Sequence, residues 1–189
     1  MCGITAISAN KEALPFLLQG LEKLEYRGYD SAGITTIEGN HLFTKKAKGR
    51  LQNLKDLLKD ENVLGHVGIG HTRWATHGIP SNLNSHPHTN NDETISLVHN
   101  GIIENYRELK EILILQGYQF HSETDSEVAA ALLNHYYKGD PKEAIKKTVS
   151  KLKGTFALVI LFEDQPDVIY SIRNVSPIVA TICKEGAML

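Results

Sequence analysis

Cys2 stands directly behind Met1 and ahead of Gly3-Ile4-Thr5-Ala6-Ile7, so removal of one residue would free an α-amine on the same residue that carries a thiol. An ordinary thiol has a pKa of roughly 8.5 and an α-amine one of about 7.7 to 8.0. Held together at the end of a strand, the amine can accept the thiol proton near neutral pH, and one residue then supplies both nucleophile and base. The competing explanation is a cysteine placed by accident near a frayed terminus. The other polar clusters of the chain bear on that choice.

Arg27-Gly28-Tyr29-Asp30-Ser31-Ala32-Gly33 lies between a helical and a strand pattern, and by itself reads as a glycine-punctuated turn with solvated charges. Gly70-His71-Thr72-Arg73-Trp74-Ala75-Thr76-His77-Gly78 lies where a strand gives way to a long loop, a common place for functional groups on a rigid scaffold. There an arginine fork, suited to a carboxylate, meets a hydroxyl, an imidazole and the only tryptophan of the chain. A surface ion pair beside a half-buried tryptophan would explain the same residues. His99-Asn100-Gly101-Ile102-Ile103-Glu104-Asn105 ends another strand, where Asn-Gly ordinarily marks a turn. The same pair can form an oxyanion hole from an amide side chain and a glycine N–H, since glycine lets backbone approach a substrate closely. Ser122-Glu123-Thr124-Asp125-Ser126-Glu127 opens a helix; either a capping box (Thr124 with Glu127, or Ser122 with Asp125) or an ammonium site at Asp125 fits it.

Six histidines, His66, His71, His77, His86, His88 and His99, crowd one central region and raise the possibility of a metal hydrolase. No His-Glu-x-x-His helix is present, and His86-Pro87-His88 cannot offer two ligands from one helical face. No metal site is expected.

At 189 residues the chain suits one domain with a sizeable core. A net charge of −2 gives no footprint for nucleic acid, and no apolar run is long enough to span a bilayer. The two cysteines, Cys2 and Cys183, are too few for a disulfide framework, and a thiol that must stay reduced points to the cytoplasm.

These residues need elements to position them. Gly3 to Ala9 reads as a strand, and Leu14, Leu17, Leu18, Leu21 and Leu24 form the stripe of an amphipathic helix. Gly33–Ile37 and His41–Lys45 form a predicted hairpin turning at Gly39-Asn40, followed by a helix over Leu51–Leu58 and a strand over Val67–Arg73. The stretch from Ala75 to Glu93 is polar and long enough to be functional or disordered. A strand at Ile95–Asn100 precedes predicted helices at Tyr106–Gln116, Asp125–Tyr137 and Pro141–Leu152, the last with Asp140 as N-cap. Strands at Thr155–Phe162, Val168–Ile172 and Ile178–Ile182 close the chain. Neighbouring hairpins with helices in separate layers indicate an α+β fold rather than a doubly wound parallel sheet.

Taken in order, Cys2-Gly3-Ile4, Leu24-Glu25-Tyr26-Arg27-Gly28-Tyr29-Asp30-Ser31-Ala32-Gly33, His71-Thr72-Arg73-Trp74-Ala75-Thr76-His77-Gly78, His86-Pro87-His88, His99 to Asn105 and Ser122-Glu123-Thr124-Asp125 resemble the glutaminase domain of the glutamine–fructose-6-phosphate aminotransferases. The resemblance runs from Cys2 to at least Pro177 and implies an N-terminal nucleophile hydrolase fold, a four-layer αββα sandwich with two antiparallel sheets. It implies that Cys2 attacks the side-chain amide of L-glutamine with its own α-amine as base, that Asn100 and Gly101 hold the oxyanion, and that Arg27 orients Cys2. Arg73 and Thr76 would take the substrate α-carboxylate with His77 beside them, Asp125 the α-ammonium, and Trp74 would stand at the ammonia exit. No metal or organic cofactor is implied. The partner is a synthase/isomerase domain, normally in the same chain of a homo-oligomer, that uses the ammonia to make glucosamine 6-phosphate. Residues 2–189 are then expected to be this domain, truncated at its C-terminal end and without the synthase, because the chain stops short of the family's later Ala-Ser-Asp segment. Ala180 stands where that family commonly has glycine. Two rival functions are a non-catalytic glutamine- or glutamate-sensing domain and a metal-dependent hydrolase.

Overall fold

The computed structural model describes residues 2–189, so the expectations about Met1 and its removal lie outside the described residues. Along the chain run β1 (Gly3–Ala9), α1 (Leu14–Leu24), β2 (Ser31–Glu38), β3 (His41–Lys48), α2 (Leu51–Leu58), β4 (Val67–Arg73), β5 (His88–Thr89) and β6 (Ile95–Ile103). There follow α3 (Tyr106–Leu115), α4 (Asp125–Tyr136), α5 (Pro141–Lys151), β7 (Gly154–Phe162), β8 (Tyr170–Asn174), β9 (Thr181–Cys183) and β10 (Gly186–Met188). All strand pairings are antiparallel, in one sheet of order β3-β2-β4-β1-β10-β9 and a second of order β5-β6-β7-β8.

Side-chain alternation along the strands builds four layers. On β7, Phe156, Leu158, Ile160 and Phe162 join Val128 and Leu133 of α4 in one core, whereas Val159 and Leu161 join Val67 and Ile69 of β4 in another. Successive strand residues point to opposite faces, so β7 seals the helical layer on one side and the facing sheet on the other. A third core holds Leu17 and Leu21 of α1 with Leu51, Leu54 and Leu58 of α2 against the outer face of the first sheet. Glycines make that contact possible. A Cβ at Gly68 would come within 2.8 Å of Leu17, and one at Gly70 within 3.2 Å of Leu21. The fold is thus α+β, two antiparallel sheets face to face with helices outside both.

Most predicted elements lie where their periodicity puts them, and α5 begins at the expected Asp140 cap, whose carboxylate accepts the N–H groups of Lys142 and Glu143. The differences fall where pairing partners are distant in sequence. The strand expected to stop at Asn100 continues to Ile103, because Asn100 and Gly101 pair with Ala157 and Phe156 of β7. The strand expected at Val168–Ile172 starts at Tyr170, and that at Ile178–Ile182 is confined to Thr181–Cys183. The latter pairs with β10, which no local pattern announces. The stretch from Ala75 to Glu93 is neither open nor wholly irregular. Asn84, Ser85, His86, His88 and Asn90 are buried in it, and it carries β5.

Candidate active site

The register of β1 on β4 sets the thiol in place. Gly3 pairs with Thr72, so Cys2 arrives beside the end of β4, where its Sγ lies 3.3 Å from the Trp74 N–H and 3.4 Å from the Trp74 carbonyl. Asp30 braces that turn. Its carboxylate accepts the Ala75 N–H and the Ser31 hydroxyl, and its own N–H donates to the Arg73 carbonyl at 3.2 Å. Gly28 packs so tightly under the turn that a Cβ there would lie 2.5 Å from the Arg73 carbonyl carbon. Burial pushes the Cys2 thiol pKa up, and the Trp74 backbone contact pulls it only partly back. The sulfur therefore needs a base to become a nucleophile near neutral pH.

The opposite wall comes from the second sheet. Asn100 on β6 donates its Nδ2–H to the Cys2 carbonyl at 3.3 Å. Gly101 has φ +131°, and a Cβ there would stand 2.0 Å from the Thr155 carbonyl oxygen, so backbone packing admits only glycine. This accounts for Asn-Gly inside a strand: the pair does not turn the chain, it lets β6 and β7 close on each other beside the sulfur.

Arg73, the last residue of β4, is 3 % exposed. Its Nη2 donates to the carbonyls of His77 and Gly78, folding that loop back, while the buried Nη1 lies 3.9 Å from Asp30 and has no hydrogen-bond partner. The His77 ring stacks edge-on against Tyr106 and touches the Thr76 hydroxyl at 3.4 Å. Asp125 opens α4, where its Oδ2 accepts the Ile103 N–H at 2.8 Å. The capping reading of this helix start holds in part. Thr124 does cap the Glu127 N–H, but the Glu127 carboxylate turns away to the N–H groups of His121 and Ser122 and to the Ser122 hydroxyl, so the capping box is not reciprocal.

All nine residues singled out from the sequence, Cys2, Arg27, Arg73, Trp74, Thr76, His77, Asn100, Gly101 and Asp125, line one cleft of about 430 Å³. An arginine and an aspartate stand in it together with the thiol and an amide donor, which suits a zwitterion carrying an amide. The cleft also has residues to which sequence reasoning assigned no role, among them Thr155 and Ser176.

From sequence, Asp30 reads only as a solvated charge of a turn, and the buried central histidines only as candidate metal ligands. The histidines have structural hydrogen-bond partners: His71 Nε2 meets Asn100 Oδ1, His86 Nδ1 accepts the His99 N–H, His88 Nε2 meets Thr124 Oγ1, and His99 Nδ1 meets Ser126 Oγ. Burial pushes all their pKa values down, that of His71 to about 3. Among the described residues no group of three or more His, Cys, Asp and Glu side chains is arranged to hold a metal ion. Period-two counting offered one missed signal: Val67, Ile69, His71 and Arg73 share the face of β4 that meets the second sheet.

A family model described as a glutamine amidotransferase domain matches residues 71–181. The glutamine–fructose-6-phosphate aminotransferase [isomerizing] of Clostridium tetani is 52% identical over 185 residues, which are 98% of this chain and 30% of that protein. The protein of the same name from Thermococcus kodakarensis is 47% identical over 190 residues, 100% of this chain and 31% of that one. The chain therefore spans about 30% of the length of these curated relatives. The solved glutamine phosphoribosylpyrophosphate amidotransferase from B. subtilis matches at a TM-score of 0.85 and 28% identity, over 99% of this chain and 41% of that one. A glutamine aminotransferase class-II domain protein from Silicibacter pomeroyi, 15% identical, shares the fold at a TM-score of 0.66 over 100% of this chain and 87% of its own.

Proposed function

This chain belongs to the glutamine amidotransferase family, and from that premise we propose that it hydrolyses the side-chain amide of L-glutamine through Cys2. The observation that carries the proposal is the Asn100 amide donor facing Cys2 across a cleft that also holds Arg73 and Asp125. Glutamine enters with its α-carboxylate toward Arg73 and the Thr76 hydroxyl, His77 beside them, and its α-ammonium toward Asp125. That leaves the amide at the sulfur, and such positioning removes several kcal/mol from the barrier. After Met1 is removed, the α-amine of Cys2 accepts the thiol proton, and Sγ bonds to the amide carbon. The oxygen takes up negative charge, stabilised by Asn100 Nδ2 and the Gly101 N–H. Collapse breaks the C–N bond, the stored proton leaves with ammonia, and a γ-glutamyl thioester remains. Water then attacks the thioester, its oxygen going to the γ-carboxyl of glutamate as the C–S bond breaks, and a proton from that water passes to the sulfur. Arg27 orients Cys2, and Trp74, 47 % exposed and edge-on to Tyr29, borders the exit.

The relatives' name supplies the wider reading: this chain is the ammonia-producing part of a glutamine–fructose-6-phosphate aminotransferase, and a synthase domain outside residues 2–189 uses the ammonia to make glucosamine 6-phosphate. Among the described residues no helix is long and apolar enough to cross a membrane.

The test is the intact mass of the purified chain together with its release of glutamate from glutamine. The expected result is a mass lacking Met1 and turnover abolished by Cys2→Ala. Equal turnover by chains with and without Met1 would overturn the self-base mechanism. Glutamine binding without turnover, unchanged by Cys2→Ala, would make the domain a sensor instead.

A further inference from the structure

An amide side chain serves as an oxyanion donor only when its NH2 end faces the reaction. Rotating the Asn100 amide by half a turn would put a carbonyl oxygen beside the sulfur at little steric cost, because its two ends differ little in size. A developing negative charge would then meet a negative dipole end. Something must choose the end, and Cys2 offers only one carbonyl, at 3.3 Å, to do so.

The choice is made from behind. His71 Nε2 lies 3.0 Å from Asn100 Oδ1 and 3.2 Å from the His99 carbonyl. Both are acceptors in this arrangement, so the hydrogen belongs on Nε2. Nδ1 is buried with no partner and does not compete for it. The ring is wholly buried and stacks on His86 at 4.2 Å, while His86 Nδ1 accepts the His99 N–H at 3.3 Å. Two imidazoles thus hold the strand segment His99–Asn100 by its backbone, and one of them also holds the side chain. A reversed Asn100 would set its NH2 against the Nε2–H and leave a buried donor unsatisfied.

We propose that His71 is a positioning residue for amide hydrolysis: its Nε2–H holds the carbonyl end of Asn100 and thereby aims the NH2 end at the oxyanion. The proposal rests on the glutaminase reading above for its catalytic consequence, but the orientation itself is measurable without turnover.

The decisive comparison is His71→Leu, which keeps bulk without a donor, against His71→Gln, whose side-chain N–H reaches the Nε2 position. The leucine variant is expected to lower kcat for glutamate release roughly 10²-fold, the scale of losing one oxyanion donor. Its KM for glutamine should stay within about twofold, since the Arg73 and Asp125 ends of the substrate are untouched. The glutamine variant should recover most of kcat. Added to Asn100→Ala, His71→Leu should cost little more; a full additional loss there overturns the proposal.

The second readout is the Asn100 side-chain NH2 signal in an isotope-labelled chain, identified by its disappearance in Asn100→Ala. Its shift and slow solvent exchange should change in His71→Leu and persist in His71→Gln. An unchanged signal in the leucine variant overturns the proposal whatever the activity. A signal that changes in His71→Leu, beside a wild-type chain that releases no glutamate, upholds the orientation and rejects the glutaminase reading. Should the leucine variant not fold, His71→Asn, whose shorter amide reaches only the Nδ1 position, replaces it, and equal kcat for the Asn and Gln variants then overturns the proposal.

Discussion

The two walls of the cleft hold their groups by different means. Among the described residues the Cys2 sulfur hydrogen-bonds to backbone, the N–H and carbonyl of Trp74, and the turn that supplies them is braced by the Asp30 carboxylate at the rim. On the opposite wall Asn100 and His99 of the second sheet and Asp125 of α4 sit in a largely buried network of imidazoles, hydroxyls and main-chain N–H groups, to which the first sheet contributes His71. A nucleophile must approach its substrate and be reached by a base, so it gains from few constraints. Groups that stabilise charge work best when they are already oriented and need not reorganise during the reaction. Under the proposed reaction the walls divide these tasks. Their meeting point is the register that places Gly3 opposite Thr72 and Asn100 opposite Ala157.

Breaking the buried wall at its functional tip should have the largest effect. Asn100→Ala is expected to slow glutamate release by about 10²–10³-fold while the melting temperature changes little, because one partly exposed amide is lost and no core is opened. Steady-state kinetics beside thermal unfolding checks this. A large stability loss with unchanged kcat would turn the wall into mere scaffolding.

Acid should loosen the buried histidine network next. Burial lowers the folded-state pKa of His71 from 6.5 to about 3, and those of His86, His88 and His99 also fall. Between those limits the unfolded chain binds more protons than the folded one. The contribution of His71 is therefore complete above pH 6.5 and is lost as pH falls from 6.5 towards 3. Urea midpoints should drop through this window, and His71→Gln should flatten the slope relative to wild type.

Asp30→Ala probes the sparsely held wall. It leaves the Ala75 N–H without its acceptor and is expected to cost about 1–3 kcal/mol in chemical unfolding. The same variant should change the rate at which Cys2 is alkylated, since the turn that carries both sulfur contacts is released. An unaltered alkylation rate would show that Trp74 is held from elsewhere.

The smallest effect belongs to the segment closing the cleft. Val175, a β-branched residue at φ +69°, precedes the cleft-lining Ser176 and Pro177. Val175→Gly should relieve strain of about 1–3 kcal/mol, less the roughly 0.5–1 kcal/mol entropic cost of glycine, and raise the melting temperature modestly.

Much of this was legible from local pattern. The limits of β1, α1, α2 and β4 follow from period-two and period-3.6 alternation within each segment. The candidate site residues were legible as types: a thiol at position 2, an arginine at a strand end, an Asn-Gly pair, an acid at a helix start. Asn100-Gly101 was read locally as a strand end because its turn preference is a near-neighbour property. Nothing nearby announces that Thr155 and Phe156 will lie against it. β10 escaped, and β9 was displaced from its expected bounds, for a like reason, since these three-residue strands hold their shape through pairing with each other and of β10 with β1.

By itself, then, the sequence determined the element types, the core faces and the chemical identity of the groups, because helix and strand periods and side-chain chemistry depend on residues a few positions apart. The tertiary structure alone decided which groups meet and which way they point. Cys2 meets Asn100 across 98 residues, and His71 reaches Asn100 from the facing sheet to select one end of its amide. Hydrogen-bond direction depends on partners that only the closing of two sheets brings together, and no local pattern encodes it.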